Sequence, residues 1–194
     1  MATGTDWMKY GIVVIAASAG GIVALRSLLS GLPATFPVPI LIVQHRSTVP
    51  SVLESVLRHD TPLSVVEVIG GNTLTAGTVF VAPADHHLLL DMTGVLRLSC
   101  SAKVHHVRPA ADPLFVSVAD FYRERTIGVV LTGYGIDGSH GVEAIGRMGG
   151  YVIAQEPSTA EAPGMPSAAI QTGFVNAILP LNEIGPALLD LMSV

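Results

Sequence analysis

The stretch GIVVIAASAGGIVALRSLLS, residues 11–30, decides the fold. Val and Ile crowd its first six residues, the composition of a strand buried on both faces. A small-residue turn, Ala17-Ser18-Ala19-Gly20-Gly21, follows, and from about Gly20 to Ser30 the apolar residues recur at helical spacing. The unit then repeats. PILIVQ (39–44) precedes VPSVLESVLRH (49–59), and TIGVVLT (126–132) precedes GSHGVEAIGRMG (138–149). YVIAQ (151–155) and a helix through MPSAAIQ (165–171) close the series. Strands alternating with helices predict an α/β fold, a three-layer α/β/α stack on a mostly parallel, doubly wound sheet.

The middle of the chain breaks this rhythm. SVVEV, TVFVAP and HHLLLD are separated by glycine-bearing turns, and DMTG (91–94) joins HLLLD to VLRLS, which predicts an antiparallel edge hairpin. DPLFVSVADFYRER (112–125) then reads as a helix with Asp112 as N-cap and Pro113 at the first helical position. With no internal repeat and no low-complexity linker, the 194 residues are expected to form one domain, residues 1–10 being an N-terminal tail.

Composition excludes several classes of function. The chain is 49% hydrophobic and 13% charged, too apolar for disorder, and its formal charge of −5 offers no basic surface to a phosphate backbone. No nucleic-acid partner is expected. The longest apolar run, Gly11 to Leu25, is broken by Ser18 and glycines and is too short for a membrane span of about 20 residues. Asp6 and Lys9 spoil any signal-peptide pattern, and the single Cys100 rules out an internal disulfide, so a cytoplasmic location is expected.

In an open parallel sheet, ligands bind beyond the carboxyl ends of the strands, where strand order reverses. Three reactive residues lie just past predicted parallel strands: Ser18, His45 and Asp137. Those are the groups acyl transfer needs. A serine hydroxyl attacks a carbonyl poorly until an imidazole takes its proton, and a carboxylate fixes the imidazole's tautomer and stabilises its protonated form. Backbone N–H groups in the small-residue turn (Ala19, Gly20, Gly21) or in the facing loop (Tyr134, Gly135) are candidates for an oxyanion site.

Other readings compete with this one. A dinucleotide fingerprint would need glycines where Ala16 and Ser18 stand, and the second strand ends in Gln44-His45 with no carboxylate for a ribose. No GK[ST] marks a P-loop. The pairs His86-His87 and His105-His106 raise the question of a metal, but neighbours on a strand face opposite ways and no i, i+4 pair accompanies them, so exposed loop or hairpin histidines and no metal are expected. Asp85 and Arg108 are either cleft-lining or solvated loop charges. Ser18 and Asp137 also fit plain helix caps, and Cys100 a structural rather than nucleophilic role.

ASAGGIVALRSLLSGLP, LIVQHR, VFVAPADHHLLL, RPAADPLF, LTGYGIDGSHGVEAI and PGMPSAAI occur in the order seen in the protein-glutamate methylesterases of bacterial chemotaxis, and the chain resembles that family's catalytic domain from about Gly11 to Ile184. The resemblance implies an α/β domain that hydrolyses methyl esters of glutamate side chains on methyl-accepting chemotaxis receptors and releases methanol. It extends to deamidation of receptor glutamines, and it implies no cofactor. It places the catalytic serine at Ser18, the histidine at His45 and the aspartate at Asp137, with His106, Arg108 and Met165 as cleft-lining candidates. Members often carry an N-terminal receiver domain, whereas this sequence starts almost at the first strand. The expectation is therefore a catalytic domain without a receiver and without phospho-regulation in the chain. Val107 stands where members often have a histidine before Arg108-Pro109, and Tyr134 where some have methionine. These departures leave a non-catalytic, receptor-binding domain of the same fold as the alternative.

Overall fold

A computed structural model describes residues 9–45 and 53–193. The elements run β1 (Ile12–Ala17), α1 (Gly21–Ser30), β2 (Ile40–Gln44), α2 (Leu53–Asp60), β3 (Ser64–Glu67), β4 (Thr78–Val81), β5 (His87–Leu90), β6 (Leu96–Ser99), α3 (Ala111–Tyr122), β7 (Thr126–Val130), α4 (Ser139–Arg147), β8 (Tyr151–Gln155), α5 (Gly164–Gln171), β9 (Ala177–Leu179) and α6 (Leu181–Met192). The helix expected over 49–59 is seen from Leu53; residues 46–52 lie outside the described residues. The pattern continues past the last predicted helix through β9 and α6.

Seven strands form one parallel sheet in the order β3-β4-β2-β1-β7-β8-β9. All six residues of β1 are buried, as the Val/Ile run requires of a central strand. Its side chains divide between two cores because strand residues alternate faces. Val13, Ile15 and Ala17 join Leu25, Leu28 and Leu29 of α1, Leu57 of α2 and Leu188 of α6. Ile12, Val14 and Ala16 join Leu114, Phe115 and Val118 of α3, Val142 of α4 and Ala169 of α5. Helices thus cover both faces in three layers, as the alternating pattern predicts.

The hairpin β5–β6 is antiparallel and forms its own two-stranded sheet, with Leu88, Leu90 and Leu96 buried in the core that also holds α3. Its turn is fixed by Asp91. The Oδ1 atom accepts the N–H groups of Thr93 and Val95 and the Thr93 hydroxyl, and Oδ2 accepts Arg97 Nε. Asp112 is not the N-cap of α3; that place belongs to Ala110, which offers no side-chain cap. Its carboxylate is directed instead to the Gly141 N–H and His105.

Candidate active site

Strand order reverses at β1, which pairs with β2 on one side and β7 on the other. Ser18, His45 and Asp137 all lie past the carboxyl ends of these three strands. The pairing fixes how the first two meet: Ala17 is opposite Gln44, so Ser18 and His45 are the next residues out, and His45 N–H donates to the Ala17 carbonyl at 2.9 Å. Ser18 N–H donates to the Thr132 carbonyl just past β7, also at 2.9 Å. The turn can reverse so sharply because Gly20, the N-cap of α1, takes the left-handed conformation with φ 73°.

The imidazole and the carboxylate are in contact. His45 Nε2 lies 2.6 Å from Asp137 Oδ2. The same oxygen accepts the Ala111 N–H at 2.6 Å, and Oδ1 accepts the Asp112 N–H at 3.1 Å. Burial pushes the Asp137 carboxyl up. The His45 hydrogen bond, the two N–H groups of α3 and the His45 charge outweigh that and hold it below the ordinary carboxylate range. An ionised Asp137 requires His45 Nε2 to carry the proton and leaves Nδ1 as the nitrogen free to serve as base. The structure holds no hydrogen bond between Ser18 Oγ and His45.

Three polar side chains that the motif reading did not single out lock this edge together. Gln44 Nε2 donates to the Ser18 carbonyl at 2.8 Å and the His45 carbonyl at 3.0 Å, tying the two turns to each other. Thr132 Oγ1 donates to the Ala19 carbonyl at 2.9 Å, and Gln155 Oε1 accepts the Thr132 N–H at 2.9 Å. The strand-end rule that selected His45 would have selected Gln44, Thr132 and Gln155 too, had amides and hydroxyls been counted with the reactive groups.

The oxyanion candidates are narrowed. Gly21 N–H is committed to the Ser18 carbonyl at 2.9 Å and is not available to an oxyanion. Ala19 and Gly20 stay as candidates beside the serine, with Tyr134 and Gly135 in the facing loop. Tyr134 is 72% exposed and stands at the rim, beside the exposed Ile136. Met165 is not in an open cleft. It is buried, and a Cβ placed on Gly133 would fall 2.2 Å from its Sδ and 2.7 Å from Ser18 Cβ, so it packs in the core beneath the serine.

Arg108 is structural rather than cleft-lining. Its Nε and Nη2 donate to Asp85 Oδ1, and Nη1 donates to the Cys100 and Ser101 carbonyls. Hydrogen bonding to Arg108 holds the Asp85 carboxyl below its usual range. Cys100 is exposed. His106 is exposed at the tip of a two-residue turn closed by reciprocal Val104–Val107 backbone bonds, where His105 and His106 have φ 48° and 66°. Positive φ at both central residues is the geometry of a type I′ turn.

His87 departs from the expected exposed histidine. It is fully buried in β5, where Nδ1 accepts the Ala110 N–H at 3.2 Å and Nε2 faces the Ala102 carbonyl at 3.1 Å. This anchors the loop before α3. His105 is exposed, as expected, and its Nε2 lies 3.0 Å from Asp112 Oδ2. Among the described residues, His105, Asp112 and Asp137 are the group whose ligand atoms lie close enough to hold a metal, within 4.8 Å of one another. Their oxygens already accept hydrogen bonds from His45, Ala111, Asp112 and Gly141.

Residues 13–188 match the sequence pattern described as CheB methylesterase. The chain is 40% identical over 179 residues to protein-glutamate methylesterase/protein-glutamine glutaminase 2 of Caulobacter vibrioides, covering 90% of this chain and 52% of that protein. It is 43% identical over 181 residues to the protein of the same name in Anaeromyxobacter dehalogenans, covering 93% and 53%. Protein-glutamate methylesterase FrzG of Myxococcus xanthus is 38% identical over 186 residues, covering 95% and 56%. The chain therefore spans about half the length of these curated relatives. The crystal structure of the Thermotoga maritima CheB methylesterase catalytic domain superposes with a TM-score of 0.88 at 37% identity, covering 94% of this chain and 98% of that one.

Proposed function

The chain belongs to the CheB methylesterase family, and from that premise we propose that it is a serine hydrolase that removes methyl esters from glutamate side chains of chemotaxis receptors. The observation that carries this reading is the 2.6 Å His45–Asp137 contact, set one residue past the paired ends of β1 and β2 and next to Ser18.

In the reaction, Ser18 Oγ attacks the ester carbonyl while His45 Nδ1 takes the hydroxyl proton, and Asp137 stabilises the imidazolium through Nε2. The carbonyl π electrons move to oxygen, and N–H groups from Ala19–Gly20 or the Tyr134–Gly135 loop meet that oxyanion. The intermediate collapses, methoxide leaves with the proton from His45, and Ser18 is left acylated. A water deprotonated by the same imidazole then releases the glutamate carboxylate. Ammonia can leave in the same step, so glutamine deamidation follows the same path. No cofactor enters either reaction.

Relatives named protein-glutamate methylesterase/protein-glutamine glutaminase support this assignment of substrate. The receptor's cytoplasmic helical region is the partner on this reading, and the cytoplasm its location. No helix among the described residues is long and apolar enough to cross a membrane. The unit proposed is a single catalytic domain. The test is covalent labelling by a fluorophosphonate. We expect labelling at Ser18, its loss in His45→Ala, and a fall of about 10⁶ in ester turnover for Ser18→Ala with the fold intact. A folded protein that neither labels nor hydrolyses a glutamate γ-methyl ester would leave the binding-domain alternative in its place.

A further inference from the structure

Helices α3 and α4 begin side by side at the carboxyl edge of β1 and β7, and neither is capped by a side chain of its own N-cap residue, Ala110 or Gly138. Each is capped instead by a carboxylate from the other. Asp137, just before α4, accepts the first two N–H groups of α3, those of Ala111 and Asp112. Asp112, in the first turn of α3, accepts the Gly141 N–H from the first turn of α4 at 2.8 Å on Oδ1. Its other oxygen faces His105 Nε2 at 3.0 Å. The exchange locks the start of α3 to the loop carrying Asp137, and that lock fixes which way the Asp137 carboxylate faces.

Asp112 is only 5% exposed and has no part in the bond-making steps above. Its burial is unfavourable for a charge: desolvation above all, and the nearby Asp137 charge, raise its carboxyl against the pull of the Gly141 N–H and of His105. A buried carboxylate set beside a like charge needs compensating bonds; here the Gly141 N–H and His105 supply them, and the first ties α3 to the helix that follows Asp137.

We propose that Asp112 is a positioning residue for ester hydrolysis, holding Asp137 against His45 through the reciprocal capping of α3 and α4. This rests on the reading of Ser18, His45 and Asp137 as a hydrolytic site. Groups around a metal or active centre that only orient the reacting residues commonly change activity 10–100-fold when removed. Misorientation acts on turnover rather than on substrate affinity.

The test is steady-state hydrolysis of a peptide bearing a glutamate γ-methyl ester, with rates normalised to the Ser18 sites titrated by fluorophosphonate. Asp112→Ala should lower kcat at least tenfold with KM within twofold of the parent. Asp112→Asn should restore kcat to within about threefold, because its amide oxygen still accepts the Gly141 N–H. Asp112→Val, which fills the space with apolar atoms and sheds a buried carboxyl, repeats the Ala experiment should Ala fail to fold. A kcat within twofold of the parent for Ala or Val, or equal losses in Asn and Ala, would overturn the positioning role while Ser18 labelling in the parent left the hydrolase reading standing. Failure of the parent to label would overturn both.

Discussion

Replacing Asp137 by Asn removes one charge and one acceptor while keeping the shape of the side chain. In the parent, Oδ2 serves both His45 Nε2 and the Ala111 N–H, and Oδ1 serves the Asp112 N–H. Asn has a single oxygen. Placed where Oδ2 stands, it keeps the bonds to His45 and Ala111 and sets its amide N–H₂ against the Asp112 N–H; flipped, its oxygen keeps Asp112, its N–H₂ donates to His45 Nε2 once that nitrogen has lost its proton to Nδ1, and only the Ala111 N–H is stranded. Each orientation keeps two bonds, and the flipped one holds His45 in the tautomer that cannot act as base. One buried donor left unpaired costs about 1–3 kcal/mol, and two charge-assisted bonds made neutral cost about 1 kcal/mol each. Relief of the repulsion with Asp112 offsets part of this, leaving a destabilisation of about 2–4 kcal/mol.

Turnover suffers differently. An imidazolium and a carboxylate with charge centres about 4 Å apart interact by about 4 kcal/mol at an effective dielectric of 20, or about 10³ in rate. Methanol release from a glutamate ester peptide gives kcat, and urea unfolding followed by circular dichroism gives the stability. A folded Asp137→Asn protein with kcat within tenfold of the parent would refute the relay. The acid limb supplies an independent check of sign. The folded Asp137 carboxyl lies below its unfolded value near 3.9, so its stabilisation is present above about pH 4 and is lost as pH falls through the folded value. Asp137→Asn should therefore flatten the acid limb of the stability profile.

Two further outcomes are expected. Gly133→Ala places a methyl 2.2 Å from Met165 Sδ and 2.7 Å from Ser18 Cβ; because Met165 is buried and cannot swing out, the serine must move, and we expect a loss of about 1–3 kcal/mol together with at least a hundredfold fall in kcat, checked by urea unfolding and methanol release. Asp112 is the opposite case to Asp137: its raised folded value means that stability falls as pH rises from about 4 through that value. The urea midpoint of Asp112→Asn relative to the parent should rise between pH 4 and pH 7, and a constant difference would contradict the burial argument.

Much of the site was legible because strand ends are legible. Ser18, His45 and Asp137 were selected by a rule that needs only the end of each apolar run, and the parallel pairing of Ala17 with Gln44 then makes Ser18 and His45 neighbours. Residues whose partners are distant in sequence were not legible. Asp112 looked like a local helix cap, since Asp before Pro at a helix start has that meaning by propensity, yet its acceptor oxygen serves Gly141, 29 residues away. His87 looked exposed because it sits beside a second histidine in a hairpin, and only the arrival of the Ala110 N–H and the Ala102 carbonyl explains its burial. Arg108 and Met165 sat in motifs next to the site but present no open side chain there: Arg108 is bound to Asp85, and Met165 is buried beneath Ser18.

The amino-acid order alone determined the layering, the parallel sheet and the strand ends beyond which Ser18, His45 and Asp137 stand, because burial on two faces writes itself into continuous Val/Ile runs and helices into a 3.6-residue period. Tertiary structure alone decided which nitrogen of His45 meets Asp137, which amides are already committed and which carboxylate caps which helix. Those outcomes depend on hydrogen-bond directions between segments far apart in the chain, and a linear pattern carries no record of direction.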